Sequence, residues 1–388
     1  MWPFRRKIRR QIGIDIGTSS VKIVELSKEG NHVVLSNYGI MDGSDFFGEV
    51  QNGSNTPSGL KLSENDIASV LKQLLDAAKI KTDKVVMSIP FFSSFLTVME
   101  MPNISQKEIE SAIPFQARSY IPVPLSEVVL DWLVIPEFSS PSPVAPAKVS
   151  NIASAAADDG KGNIASVVPD AVQVKKEKIS VLLIAVPKEV VSKYQRIAKA
   201  LNLELVALES ESFSLARSLI GEDKGTIMLV DFGARSTNLT IIDRGYIFMS
   251  HSADLSGKEI TKMVARSLNV QPQRAEELKK SSGVSSVGSE KGLTQIISPF
   301  VEKLVNEIER MNSLFIKKEG RKIEKIVLTG GSANLPGLVE YLSKSAGVEV
   351  IIGNPFSKVK FDPSLEPILR KDLSSSLAVA TGLSMREI

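Results

Sequence analysis

Two copies of one short pattern constrain this chain more than any other feature. Ile12-Gly-Ile-Asp-Ile-Gly-Thr-Ser-Ser20 runs into Val-Lys-Ile-Val-Glu-Leu26, and Met228-Leu-Val-Asp-Phe-Gly-Ala-Arg-Ser-Thr237 runs into Asn-Leu-Thr-Ile-Ile-Asp243. Asp15 matches Asp231 and Gly17 matches Gly233, each pair 216 positions apart. In both copies an apolar run ends in Asp-x-Gly, turns over small hydroxyl residues and resumes as a second apolar run, which is how a tight β-hairpin reads. Glycine and hydroxyls at a hairpin tip present backbone N–H groups without bulk, so a phosphate can approach closely. Two such tips facing each other would clamp a polyphosphate.

Composition narrows the chemistry further. At 388 residues and 43% hydrophobic content the chain supports one or two full cores. The absence of cysteine excludes disulfides, thiolate zinc and cysteine nucleophiles, and fits a reducing compartment. His32 and His251 are the only histidines, which leaves little material for a histidine metal site or a serine–histidine triad. A net charge of +3 is nearly balanced, so no whole-protein attraction to nucleic acid is indicated. No apolar stretch approaches the ~20 residues needed to cross a bilayer, the longest being strand-length runs such as Ile179 to Val186. Residues 1–10 set Trp2 and Phe4 beside five basic residues and lack the apolar core of a signal peptide. Two readings of this tail stand: a weak contact with an anionic membrane surface, or a solvated, frayed terminus.

Along the chain, Val33 to Ile40 reads as a strand and Asp42 to Gly59 as a loop. Ser63 opens a helix through a capping-box pattern with Asp66, and Ile67, Val70, Leu71, Leu74 and Leu75 share one face. Lys84 to Pro90 and Phe95 to Met101 read as strands. Ser105-Gln-Lys-Glu108 caps a helix to about Arg118, interrupted by Pro114. Val128 to Ile135 and Ile179 to Val186 read as paired strands around a tract rich in Ser, Pro, Ala, Asp and Gly, expected to be a mobile insertion over residues 139–174. Helices are expected over Pro187 to Leu201, Glu211 to Ile220 with Phe213, Leu215 and Leu219 inward, Ser256 to Leu268, Gln273 to Lys280 and Leu293 to Phe315. Ile323 to Thr329 is a strand running into Gly330-Gly331, and Leu335-Pro-Gly-Leu338 is expected to open a helix with Pro336 in its first turn. Leu373 to Leu383 reads as a small-residue helix suited to close packing.

Three glycine features, Asp15/Gly17/Thr18, Asp231/Gly233/Thr237 and Thr329-Gly330-Gly331-Ser332, occur in an order that resembles the actin-like ATPase superfamily over nearly the whole chain. Within it, Gly13 to Leu26, Asp231 to Asn238 and Glu108-Ile-Glu-Ser-Ala-Ile-Pro-Phe-Gln-Ala-Arg-Ser-Tyr-Ile-Pro122 resemble the PilM family of type IV pilus assembly proteins, which is similar in fold to the cell-division protein FtsA. The resemblance implies an α/β fold of two domains, each a mixed sheet flanked by helices, plus a small inserted subdomain of FtsA type. The implied division is a basic tail over 1–10 and a first domain over 11–101 and 187–225. The inserted subdomain would take 102–186, the second domain 226–362, and the chain would return to the first domain over 363–388.

The resemblance also implies a site for ATP and Mg²⁺. Asp15 would hold the metal through water, with Asp231 as the opposing carboxylate. Gly17, Thr18, Ser19 and Ser20 would offer donors to the phosphates, joined by Lys22. Gly233, Ala234, Arg235, Ser236 and Thr237 would form the second cradle, and Gly330, Gly331 and Ser332 would let the chain approach adenosine. Glu276 and Lys279 are candidates for ribose and adenine, against the alternative of a solvated helical face. Ala234 and Arg235 stand where enzymatic members often carry glycines. Arg235 either pairs with a phosphate oxygen or lies outward, so the expectation is ATP binding with at most weak hydrolysis. The implied partner is the N-terminal cytoplasmic peptide of PilN, with other pilus platform proteins nearby, at the cytoplasmic face of the inner membrane. Phe115, Tyr120, Ile121 and Val123 are the candidate wall of its groove, core packing being the alternative for each. An FtsA-like division protein and a phosphotransferase such as a sugar kinase are the competing readings, although no separate acidic motif for a kinase substrate pocket is found in the first domain beyond Asp15.

Overall fold

Both copies of the repeated pattern fold as antiparallel hairpins. Strands β1 (Arg9–Ile16) and β2 (Ser20–Glu29) pair with Asp15 opposite Lys22. Strands β9 (Thr226–Phe232) and β10 (Thr237–Asp243) pair with Asp231 opposite Asn238. The two turns close identically: the Gly17 N–H donates to the Ser20 carbonyl at 3.0 Å and the Gly233 N–H to the Ser236 carbonyl at 3.1 Å. The computed structural model describes residues 9–42, 63–136, 178–284, 291–369 and 373–388. The tail up to residue 8, the loop expected after Asp42 and the insertion over 139–174 lie outside the described residues.

Each hairpin seeds a mixed sheet. The first adds β3 (His32–Asp42), β4 (Lys84–Ile89), β8 (Glu204–Ser210) and β14 (Val359–Lys360), in the order β14-β3-β2-β1-β4-β8. The second adds β11 (Tyr246–Ala253), β12 (Lys325–Thr329) and β13 (Glu349–Ile352), in the order β11-β10-β9-β12-β13. In both, the strand after the crossover lies parallel to the first hairpin strand, β4 beside β1 and β12 beside β9. A third sheet, β5 (Phe95–Pro102), β7 (Lys178–Pro187) and β6 (Val128–Ile135) in that order, forms the small subdomain with α2 (Gln106–Ala117).

Strand β1 is buried on both faces, which is why it reads as an almost unbroken apolar run. Ile12, Ile14 and Ile16 meet Ile67, Val70, Leu71 and Leu74 of α1 (Glu64–Ala77) and Tyr194 and Ile197 of α3 (Lys188–Ala200). The Ser63 hydroxyl accepts the Asp66 N–H at 3.2 Å, and the Asp66 carboxylate accepts the Ser63 N–H at 3.2 Å, closing the expected capping box. On the opposite face of β1 lies α10 (Ser374–Ser384), so close that a Cβ on Gly13 would fall 1.9 Å from the Ala380 carbonyl oxygen. The same helix approaches α4 (Glu211–Leu215), where a Cβ on Gly382 would fall 1.9 Å from the Ser214 carbonyl oxygen. In the second lobe, the buried stripe of α7 (Lys291–Glu319), including Ile297, Phe300, Leu304, Ile308 and Phe315, packs on the second sheet, and Phe300 stacks on Phe232.

Several expectations are corrected. The small sheet begins at Phe95, not 102, because β5 pairs with β7 and leaves the first sheet at once. The return to the first sheet begins with β14, before 363. Arg9 and Arg10 belong to β1 and not to a tail. The segment after α4 continues as a π-turn over Ala216–Ile220, and its deepest residues include Ser212, Ser214 and Ser218, while Phe213 and Leu219 are half-buried. The cause is α10: Ser218 Oγ donates to the Ala378 carbonyl at 2.9 Å and Arg217 to the Gly382 carbonyl at 2.7 Å, so the close-packed face must be small. Helix α8 (Leu338–Ala346) starts two residues after Pro336; Gly337 at φ +79° is its N-cap, and the Pro336 carbonyl is occupied by the Val284 N–H at 2.8 Å.

Candidate functional site

The two hairpin tips and the third glycine turn meet at one cleft. Asp15, at the end of β1, is buried and doubly held, by Lys22 Nζ at 3.1 Å from across the hairpin and by Ser88 Oγ at 2.9 Å from the parallel neighbour β4. Asp231 occupies the equivalent position in the second hairpin, where Asn238 takes the place of Lys22. Gly330, at φ +86°, sits directly behind it: a Cβ there would fall 2.5 Å from Asp231 Oδ1 and 2.7 Å from the Phe232 carbonyl. The Ser332 N–H donates to that same carbonyl at 3.1 Å. Gly331 faces open space.

The start of α5 (Gly257–Leu268) gathers the remaining parts. Gly257 N–H donates to the Gly233 carbonyl at 3.0 Å and Lys258 N–H to the Ala234 carbonyl at 3.2 Å. A Cβ on Gly257 would fall 2.3 Å from Ser332 Oγ, 3.5 Å from the Gly233 oxygen and 3.6 Å from Lys279 Nζ. Lys279, on α6 (Pro272–Ser282), is only 6% exposed, so the reading of a solvated face does not hold for it. Its ammonium donates to the Gly257 carbonyl at 3.2 Å, Thr261 Oγ1 at 3.0 Å and Glu276 Oε2 at 2.6 Å. Burial depresses the Lys279 ammonium even with Glu276 beside it.

Charge around Lys22 is unbalanced. Desolvation, reinforced by Asp15, raises the Asp231 carboxyl to about 6. Glu211, first residue of α4, is pushed well above the usual carboxylate range by desolvation and by Asp15 and Asp231. Burial by itself would depress the Lys22 ammonium, but Asp15, with Asp231 and Glu211 further off, outweighs it and holds Lys22 above its ordinary value. Around Lys22, three carboxylates therefore surround one ammonium, a local arrangement that favours an added cation. Among the described residues no three acidic or histidine side chains are grouped to hold a metal unaided. That suits Mg²⁺, which is ordinarily bound through one or two carboxylates, waters and phosphate oxygens. The hairpin glycines fit the phosphate side, since a Cβ at Gly17 would lie 3.0 Å from the Ser20 carbonyl and one at Gly233 2.9 Å from the Ser236 carbonyl.

Thr18, Ser19 and Ser20 at the first tip and Arg235 and Ser236 at the second are partly or fully exposed, whereas Thr237 is buried and donates to the Leu255 carbonyl at 2.8 Å. Thr237 supports the second cradle from behind. The Arg235 guanidinium lies over the Phe92 ring, 4.8 Å from its centre. Lys258 Nζ reaches the Thr18 carbonyl at 3.4 Å, bridging the second lobe to the first hairpin. Sequence reasoning missed Ser88, Phe92, Glu211, Gly257 and Lys258. An acid at the first position of a helix is the ordinary complement to its dipole, so nothing local marked Glu211. The Ser256-Gly257 start of α5 was the one available signal, an N-cap followed by a residue without a side chain.

The candidate peptide wall separates into two kinds of residue. Phe115 is 69% exposed with Arg118 over its ring at 5.6 Å, and Tyr120 is 45% exposed. Ile121 is buried in the core of the small subdomain and Val123 packs against that core, which corrects the expectation that these two line a surface. An apolar surface not anticipated is β6, one of the two outer strands of its sheet among the described residues, which exposes Val129, Leu133 and Val134.

Two mixed sheets, each opened by the same Asp-x-Gly hairpin and facing across a shared cleft, define a protein of the actin-like ATPase fold. The solved structure of MreB5 of Spiroplasma citri bound to AMPPNP shares this fold at a TM-score of 0.51 and 14% identity, covering 98% of this chain and 96% of that one. The sequence profile described as type IV pilus assembly protein PilM matches residues 13–171 and 166–388, and the chain belongs to that family. A solved PilM-PilN type IV pilus biogenesis complex aligns with a TM-score of 0.72 and 26% identity, covering 97% of this chain and 98% of that one. The cell division protein FtsA of Staphylococcus epidermidis is 22% identical over 400 residues, 95% of this chain and 79% of that protein.

Proposed function

We propose that this protein is an ATP-binding scaffold of a type IV pilus inner-membrane assembly complex, and that it holds the N-terminal cytoplasmic peptide of a PilN-type membrane protein. The observation that carries the nucleotide half is the convergence of Asp15, Asp231 and three glycine turns on one cleft, with Lys22 set among three carboxylates at the hairpin bases. Bound Mg²⁺ would neutralise phosphate charge between the two lobes. Asp15 and Asp231 would hold it, Gly17 to Ser20 and Gly233 to Ser236 would donate to the phosphates, and Gly330 to Ser332 with Glu276 and Lys279 would border the nucleoside. Clamping requires only these donors; hydrolysis also requires an aligned water, and the Ala234-Arg235 tip departs from the glycine-rich form at that place. Turnover is accordingly slow or absent.

The peptide half rests on family membership and on the small subdomain. A solved structure with which this chain aligns closely is a PilM-PilN type IV pilus biogenesis complex. Phe115 and Tyr120 at α2 and its exit, and Val129 and Leu133 on β6, are separate exposed apolar positions of the small subdomain that could each contact an apolar peptide, with Ile121 and Val123 in or against its core. Among the described residues no helix is long and apolar enough to cross a membrane, and a PilN-type partner would supply the anchor at the cytoplasmic face.

Calorimetric titration of the purified protein with Mg·ATP tests the first half. Saturable one-to-one binding, lost in Asp15→Ala and Asp231→Ala, is expected, together with phosphate release no faster than a few turnovers per hour. Absence of ATP binding by the folded wild-type protein would falsify the nucleotide reading. Capture of a synthetic PilN N-terminal peptide, weakened by Phe115→Ala or Leu133→Ser, tests the second half.

A further inference from the structure

The chain enters the small subdomain through one short connection. Strand β4 ends at Ile89 in the first sheet and β5 begins at Phe95 in the third, joined by a single 3₁₀ turn over Phe91–Ser93. Two cleft residues contact this turn. The Glu211 carboxylate accepts the Phe91 N–H at 3.1 Å, and Arg235, at the tip of the second hairpin, lays its guanidinium over Phe92. Phe92 is 41% exposed, and the Arg235 guanidinium over its ring ties this turn to the second hairpin.

We propose that the Phe91–Ser93 turn couples the cleft to the small subdomain through Arg235, which exchanges between the Phe92 ring and an anionic phosphate in the cleft. A charge-assisted bond from guanidinium to phosphate is stronger than a half-exposed cation–π contact, so phosphate wins the competition. Filling the cleft releases Phe92, loosens the entry to the small subdomain and changes its affinity for the partner peptide. Coupling of this kind is reciprocal, so the peptide changes nucleotide affinity by the same factor. The inference rests on the nucleotide and peptide reading above and adds the element that links them.

The test measures the dissociation constant of the synthetic PilN N-terminal peptide with and without saturating Mg·AMPPNP, for the wild-type chain, Phe92→Ala and Phe92→Tyr. In the wild type the nucleotide is expected to change peptide affinity by about fivefold, the scale of one such contact. Phe92→Ala should still bind AMPPNP, show no nucleotide effect, and hold the peptide without nucleotide as the wild type does with it. Phe92→Tyr keeps a ring under the guanidinium and should restore the wild-type difference. A Phe92→Ala protein with an unchanged nucleotide effect overturns the coupling, as does a wild type that binds AMPPNP but shows no effect. A wild type that binds no AMPPNP overturns the nucleotide reading itself.

Discussion

At Asp231, binding and stability oppose each other. Its carboxyl, raised to about 6 by desolvation and Asp15, keeps a proton in the folded state that the unfolded chain, with a value near 3.8, has already released. Through this group the folded state binds more protons in this window, so the contribution of Asp231 to the stability of the ligand-free protein falls as pH rises from about 4 to about 6. Replacing Asp231 by Asn removes the charge and keeps the shape. The variant is expected to gain about 1–2 kcal/mol over the wild type at pH 8, after allowance for partial exposure, and little at pH 4, by urea denaturation. It is also expected to lose the thermal stabilisation that Mg·ATP confers on the wild type. A difference between variant and wild type that stays constant from pH 4 to pH 8 would show that Asp231 does not titrate in this window.

The elements that position the cleft are held by close approach as much as by apolar area. Helix α10 lies against β1 at Gly13 and against α4 at Gly382, with carbonyl oxygens where side chains would stand. A methyl group at either place must displace backbone. Gly13→Ala and Gly382→Ala are each expected to cost about 1–3 kcal/mol or more, read as a lower urea midpoint with an unchanged slope. By contrast, Gly30→Ala falls at an open turn and should cost less, through its φ of +64° alone. Equal losses at Gly13 and Gly30 would mean that α10 is not packed as described. The nearly uniform small residues of α10 made its close packing legible in the sequence. The π-turn after α4 was not, because it follows from where Arg217 and Ser218 find carbonyl partners on α10.

For the whole molecule, the two lobes share one hydrophobic cluster. Residues of the second sheet and α7 are continuous with Leu215, Ile220, Ala378, Val379 and Leu383 from α4, its π-turn and α10, and with Val86 and Leu182 from the first and third sheets. The lobes are therefore joined by shared packing, to which Lys258 on the Thr18 carbonyl and the Arg235 guanidinium on the Phe92 ring add further contacts. Ligand-free protein is expected to unfold in calorimetry as one transition, and Mg·ATP should raise its midpoint. Two separated transitions without ligand would show lobes that fold independently and would contradict the shared core.

The sequence by itself determined the duplicated hairpins, the acids and glycines at their tips, the third glycine turn and the order in which they occur, because each depends on local backbone chemistry repeated in a recognisable spacing. Only the tertiary structure decided that Gly257 is the meeting point of the second cradle and α6, that Glu211 joins Asp15 and Asp231, and that Arg235 rests on Phe92. It also decided that Ile121 is core while Phe115 is surface. These outcomes depend on contacts between segments far apart in the chain, and no residue records in its neighbours which distant carbonyl, ring or carboxylate it will meet.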